Sequence, residues 1–114
     1  MIIRKIINFF SIYKNRGFNI LLKSIFGYLY LLISRDIFKR QFIKCNVNDY
    51  RMELFTNDNG ISRSLILFGT REIDKQYILK KILKKDMSVF DVGCNIGYYT
   101  IFIKKITDGN LLAI

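Results

Sequence analysis

The sequence predicts an α/β protein, in which N-terminal helices and a β-hairpin lead into the first βαβ unit of an incomplete parallel sheet. Three observations carry this. Apolar residues recur at helical spacing through the first 44 positions. The period then drops to two around Tyr50–Phe55, and an Asn-Gly pair follows at Asn59-Gly60. Finally, Val89–Val92 runs into a loop with two glycines, then a helix-spaced apolar segment, then Leu111-Leu112-Ala113-Ile114.

Met1 to Tyr13 is both basic and apolar. Ile2, Ile3, Ile6, Ile7, Phe10 and Tyr13 fall on one helical face, and Lys14-Asn15-Arg16-Gly17 interrupts it. Gly17–Ile33 is the most apolar segment, yet Asn19 and Lys23 leave a clean run of only nine residues, Ile25–Ile33. A spanning helix wants about twenty. A helix packed on the following domain, a membrane-surface helix and a true anchor remain open. Ser34-Arg35-Asp36 offers no signal-peptidase site. In Arg35–Lys44, Ile37, Phe38, Phe42 and Ile43 alternate with four basic residues, which reads as a second amphipathic helix with a solvated basic face. Nucleic-acid binding is disfavoured, because no recognition signature accompanies those charges.

The net charge of +10 is uneven. Residues 1–44 hold nine Lys or Arg and one Asp, a net of +8; residues 45–114 hold ten basic and eight acidic residues, a net of +2. The expected division is therefore a basic helical leader, 1–44, and a second part, 45–114. The leader's charge suits anionic lipid, by peripheral membrane contact through residues 1–44, and equally sugar-phosphate or nucleic acid.

In the second part, Tyr50, Met52 and Leu54 alternate with Arg51, Glu53 and Phe55 as a strand. Thr56–Gly60 is the expected turn, and Leu65–Phe68 the expected second strand of the hairpin. Gly69–Glu72 reads as a loop. Glu72–Lys85 reads as a helix with Ile78, Leu79, Ile82 and Leu83 on its packed face and lysines opposite. After the glycine loop, Ile96, Tyr99, Ile103 and Ile106 should pack on the sheet, and Asp108-Gly109-Asn110 should end that helix.

The chemistry concentrates in Val89–Thr100. Val89, Phe90 and Val92 suit a strand buried on both faces. Gly93 and Gly97 permit a sharp turn and close approach of a ligand, and Asn95 tolerates a left-handed backbone. A phosphate-cradling loop would need Lys and Ser or Thr after its second glycine; a dinucleotide loop would need three glycines. Neither pattern is present. Asp91 would also repel a diphosphate and attract a cationic amine. With no histidine and two cysteines, Cys45 and Cys94, the chain has no zinc ligand set and no histidine base. The cysteines suit reduced thiols of a cytoplasmic protein.

The run Asp91-Val92-Gly93-Cys94-Asn95-Ile96-Gly97-Tyr98-Tyr99-Thr100 resembles motif I of class I S-adenosylmethionine-dependent methyltransferases. It is most similar to the FkbM family, in which Asn commonly replaces the middle glycine. Gly69-Thr70-Arg71-Glu72 resembles a Gly-x-x-Glu element of the same family. The resemblance spans roughly residues 46–114. It implies a Rossmann-like sheet and methyl transfer from S-adenosylmethionine, often to a sugar hydroxyl, with a small molecule or glycan as acceptor. Asp91, Gly93, Cys94, Asn95 and Gly97 match the cofactor-loop positions, and Glu72 is implied near the cofactor. For Glu72, a first-turn carboxylate complementing the helix dipole is an equal alternative. In the family an acidic residue follows the second strand, where this sequence stops, so the chain is expected to be the N-terminal portion of such an enzyme and inactive alone. The competing expectation is a non-catalytic, basic membrane-surface or interaction fragment.

Overall fold

The computed structural model describes Lys14 and residues 17–114. The amphipathic helix expected over Met1–Tyr13 lies outside the described residues. Among the described residues the chain is mixed α/β, with helices and two small sheets, and it divides into two compact units, the division falling in the chain between Arg71 and Glu72.

The first unit opens with helix α1, Phe18–Leu32, which begins where Gly17 takes φ +84°. Its last turns widen into a π-helical segment, Ile33–Ile37, closed by the Phe38 N–H donating to the Ile33 carbonyl at 3.1 Å. The second amphipathic helix expected over Arg35–Lys44 does not form. Its C-terminal part is instead strand β1, Phe42–Val47, paired antiparallel with β2, Tyr50–Phe55. Ile43 and Val47 point inward while Phe42, Lys44 and Asn46 point out, a period of two that the preceding helical spacing hides. The expected boundary at residue 44 therefore falls inside a strand.

The hairpin also turns in a different place. Val47 faces Tyr50, leaving Asn48 and Asp49 as a two-residue loop, both left-handed (φ +47° and +68°). This conformation matches the strand twist and favours Asn and Asp. Leu65–Phe68, the expected partner strand, lies in helix α2, Ile61–Phe68. Asp58 explains why a helix wins here: its carboxylate accepts from the Gly60 N–H at 2.7 Å and the Ser62 N–H at 2.8 Å, satisfying donors at the helix start. These bonds hold its carboxyl below the usual range.

Leu31, Ile43, Val47, Leu54 and Leu65 form the centre of this unit's core, with Leu65 fully buried. Helices α1 and α2 approach closely at Gly27, where a Cβ would sit 2.7 Å from the Ile66 carbonyl oxygen. Thr56 is buried and donates to the Arg40 carbonyl at 2.7 Å, tying the end of β2 to the entry of β1. Half-burial pushes the Cys45 thiol pKa up. Both cysteines are free.

The second unit contains helix α3, Ile73–Ile82, strand β3, Val89–Asp91, helix α4, Tyr98–Lys104, and strand β4, Leu111–Ala113. Strands β3 and β4 pair in parallel, with Val89 opposite Leu111, Phe90 opposite Leu112 and Asp91 opposite Ala113. With α4 between them in sequence, this is the expected β-loop-α-β order.

Two packing expectations are corrected. Val89–Val92 is not buried on both faces: Phe90 is 70% and Val92 75% exposed. Among the described residues this sheet has two strands, and Val89 and Asp91 are half-buried, with Thr100 of α4 bonded to Asp91. The packed residues of α4 are Tyr98, Phe102 and Ile103, with Tyr99 half-buried. On α3, Ile78 and Ile82 are exposed and Gln76 is the buried residue. Gln76 is inward because it has a partner there: its Nε2 donates to the Tyr98 hydroxyl at 2.5 Å.

The entry to β3 is fixed by Thr107, which is fully buried. Its Oγ1 lies 2.5 Å from the Met87 carbonyl and 3.1 Å from the Lys85 carbonyl, and accepts from the Gly109 N–H at 3.0 Å. The Asp108 N–H donates to the Lys85 carbonyl at 2.7 Å. Gly109 is required by contact, since a Cβ there would collide with the Met87 carbonyl oxygen.

Candidate functional site

The candidate site lies in the second unit, at the C-terminal end of β3. Asp91 is the last residue of that strand and is paired with Ala113. Past it the chain turns through three left-handed residues, Gly93 (φ +74°), Asn95 (φ +51°) and Gly97 (φ +77°). These are the two glycines and the asparagine singled out in the sequence. The left-handed region carries a steric cost for most side chains, which explains why these residue types stand there.

The loop is pinned by backbone bonds. The Gly93 and Cys94 N–H groups both donate to the Ile114 carbonyl, at 2.8 and 3.2 Å, and the Ile114 N–H donates to the Asp91 carbonyl at 3.0 Å. The Gly97 N–H closes a tight turn onto the Cys94 carbonyl at 2.9 Å. Strand β4 thus holds the loop as well as the strand before it. Space beside Gly93 is open: a Cβ built there meets nothing within 4 Å. Gly93 is accordingly demanded by its φ and by nothing packed against it.

The Asp91 carboxylate is oriented by α4. Thr100 Oγ1 donates to Asp91 Oδ2 at 2.5 Å, leaving Oδ1 and the remaining lone pairs of Oδ2 for other partners. Asp91 lines a shallow concavity of about 360 Å³ together with Lys75, Ile78, Leu79, Tyr99 and Ile103. Its floor is mostly apolar, with the carboxylate and the Lys75 ammonium as its charged groups.

Glu72 is brought to the same region. It stands at the start of α3 with a left-handed backbone (φ +50°), and its Oε2 accepts from the Tyr99 hydroxyl and pairs with Lys75 Nζ at 3.3 Å. Of the residues singled out in the sequence, Asp91 lines the concavity and Glu72 bonds to Tyr99 on its wall. Gly93 and Asn95 are exposed, while Cys94 and Gly97 are half-buried; none of the four belongs to the concavity's lining.

Four contributors were given no part in the site by the sequence reading. Thr100 ends the same run and orients Asp91. Lys75 and Tyr99 supply the wall, and Gln76 holds Tyr98 from α3. A signal existed for Gln76 alone, as a polar residue one turn before the apolar pair Leu79 and Leu83. Among the described residues, no three His, Cys, Asp or Glu side chains converge as metal ligands, and no helix is long and apolar enough to cross a membrane.

Chemically, the arrangement offers one oriented carboxylate, an open backbone edge without side chains, and an adjoining apolar hollow with an aromatic wall. That set offers a counter-charge to a cationic group beside an apolar and aromatic surface. In comparison with known proteins, the chain matches no protein-family model, no curated protein and no solved structure.

Proposed function

We propose that the second unit is the cofactor-binding portion of an S-adenosylmethionine-dependent methyltransferase of FkbM type, acting on a hydroxyl of a small molecule or glycan. One observation carries the reading. A parallel βαβ unit has three left-handed residues, Gly93, Asn95 and Gly97, directly after a strand-end carboxylate; open space lies beside Gly93, and the carboxylate itself lines an apolar hollow. The residues present fit the cofactor. Asp91 supplies the counter-charge for its ammonium group, Gly93 leaves the backbone approachable, and Tyr99 offers an aromatic wall.

The cofactor, when bound, supplies an activated methyl group on a cationic sulfur. The chain's own part is to bind and orient it. Thr100 fixes the rotamer of Asp91, and the bonds from Gly93 and Cys94 to Ile114 keep the loop in one conformation before any ligand arrives. Such preorganisation lowers the ordering cost of binding. Glu72 pairs with Lys75, and Asp91 is the carboxylate among the residues that line the concavity.

The test is calorimetric titration of the chain with S-adenosylhomocysteine, the demethylated product. Saturable binding is expected, and Asp91→Ala should weaken it about tenfold or more, the scale of a hydrogen bond to a charged group. Failure of the unmodified chain to bind, or equal affinity in the Asp91→Ala variant, would overturn the reading.

A further inference from the structure

We propose a second, separate binding surface in the first unit: the outer face of α1 docks in the plane of an anionic lipid bilayer. The inference does not depend on the cofactor reading, since it uses other residues in the other unit.

The observation is a stripe of large apolar side chains left in solvent. Phe18, Leu22, Phe26, Leu29, Tyr30 and Ile33 are all exposed, with Phe26 at 68%. Their spacing of three and four places them on one side of the helix. The opposite side carries the packing: Ser24 and Leu31 are buried, and Gly27 lies against the Ile66 carbonyl of α2. Ile37, at the end of the π-helical segment, and Phe38, just past it, continue the apolar character, and both are exposed. The helical stretch of fifteen and then five residues is about 30 Å long, at about 1.5 Å per residue. A single exposed leucine is ordinary; a continuous stripe of this length is not.

Charge selects the occupant. The stripe is bracketed by exposed cations, with Lys14 before it and Lys39 and Arg40 after it. Residues 1–44 carry a net +8. The one acidic residue among them, Asp36, is ion-paired with its neighbour Arg35 at 2.6 Å, so no uncompensated carboxylate opposes an anionic surface. Phenylalanine and tyrosine on the apolar side, with Lys and Arg at its ends, are the side chains that settle at a headgroup boundary. A protein groove would accept the apolar stripe but gives no reason for cations at both ends. The stretch does not satisfy the requirements for a spanning helix, which leaves the in-plane orientation.

Flotation of the full chain with vesicles tests this. Vesicles containing about 30% phosphatidylserine should retain the protein, neutral phosphatidylcholine vesicles should not, and retention should fall as added salt shortens the screening length. Phe18→Ser with Phe26→Ser should reduce partitioning more than about tenfold. Both side chains are exposed, so the fold is unaffected, which circular dichroism verifies. Lys39→Gln with Arg40→Gln should reduce partitioning about 30-fold, at about fivefold per basic residue near an anionic surface. Lys80→Gln with Lys81→Gln, in the other unit, should leave it unchanged. Any of four results overturns the proposal: no retention on anionic vesicles, retention untouched by the phenylalanine substitutions, an equal loss from Lys80 and Lys81, or a self-associated chain that fails to bind vesicles and becomes monomeric in the phenylalanine variant.

Discussion

Replacing Thr107 with Val tests how the second unit aligns the strand that carries Asp91. Thr107 is completely buried, and valine has nearly its shape. The change therefore removes a hydroxyl without opening a cavity. Lost with it are the contacts to the Met87 and Lys85 carbonyls and the acceptor for the Gly109 N–H. Each buried polar group left without a partner costs about 1–3 kcal/mol. Met87 and Gly109 are only half-buried, so water can partly replace what is lost, and the Lys85 carbonyl keeps the Asp108 N–H. The net expectation is about 1–3 kcal/mol. Because the chain has two compact units, a global melting curve would blur the effect. Native-state amide exchange read at Asp108 and Val89 isolates it. Both amides bond across this junction, to Lys85 and Asn110 respectively, and both should exchange about five- to 150-fold faster in Thr107→Val. Thr107→Ser, which keeps the hydroxyl and loses a methyl, should recover most of the protection. Unchanged exchange in the valine variant would refute the idea that these hydrogen bonds fix the entry to β3.

Two further perturbations address the first unit. Gly27→Val would thrust a side chain into the Ile66 carbonyl region, where even a Cβ stands at 2.7 Å, and should force α1 and α2 apart at a cost of about 1–3 kcal/mol, read as a lower denaturant midpoint. Asp58 contributes to stability with a defined pH sense. The Ser62 and Gly60 N–H groups depress its folded-state pKa below the ordinary 3.8. Its contribution is therefore fully present above that value and is lost as pH falls through the lower, folded-state value. Denaturation midpoints measured from neutral to acid pH should fall less steeply below about pH 4 in Asp58→Asn than in the unmodified chain; parallel slopes would argue against the depressed pKa.

The candidate loop was legible because its constraint is local. Gly93, Asn95 and Gly97 take left-handed backbones, and the cost of that conformation depends on the residue itself more than on its surroundings. The parallel pairing of Leu111–Ala113 with Val89–Asp91 followed from the same βαβ pattern. Legibility failed where one residue type signals two outcomes. Asn59-Gly60 reads as a hairpin turn, but the Asp58 carboxylate uses that position to start α2, while Asn48-Asp49, a weaker signal, makes the turn. Phe42 and Ile43 satisfy helical spacing with Phe38, yet they alternate about the core in β1. Short apolar runs do not distinguish the two periods.

The amino-acid order by itself determined that this chain is α/β, that a glycine-bearing loop follows a strand at Asp91, and that positive charge gathers in the first 44 residues. These depend on backbone preference and on counting charges, both properties of the residue alone. Only the tertiary structure decided that β1 rather than Leu65–Phe68 partners β2, that Thr100 orients Asp91, that Glu72 meets Tyr99, and that the apolar stripe of α1 faces solvent. Each of these is a contact, or a missing contact, that the identities of the two residues do not specify. Whether a side chain is buried or bonded depends on what the rest of the chain places beside it.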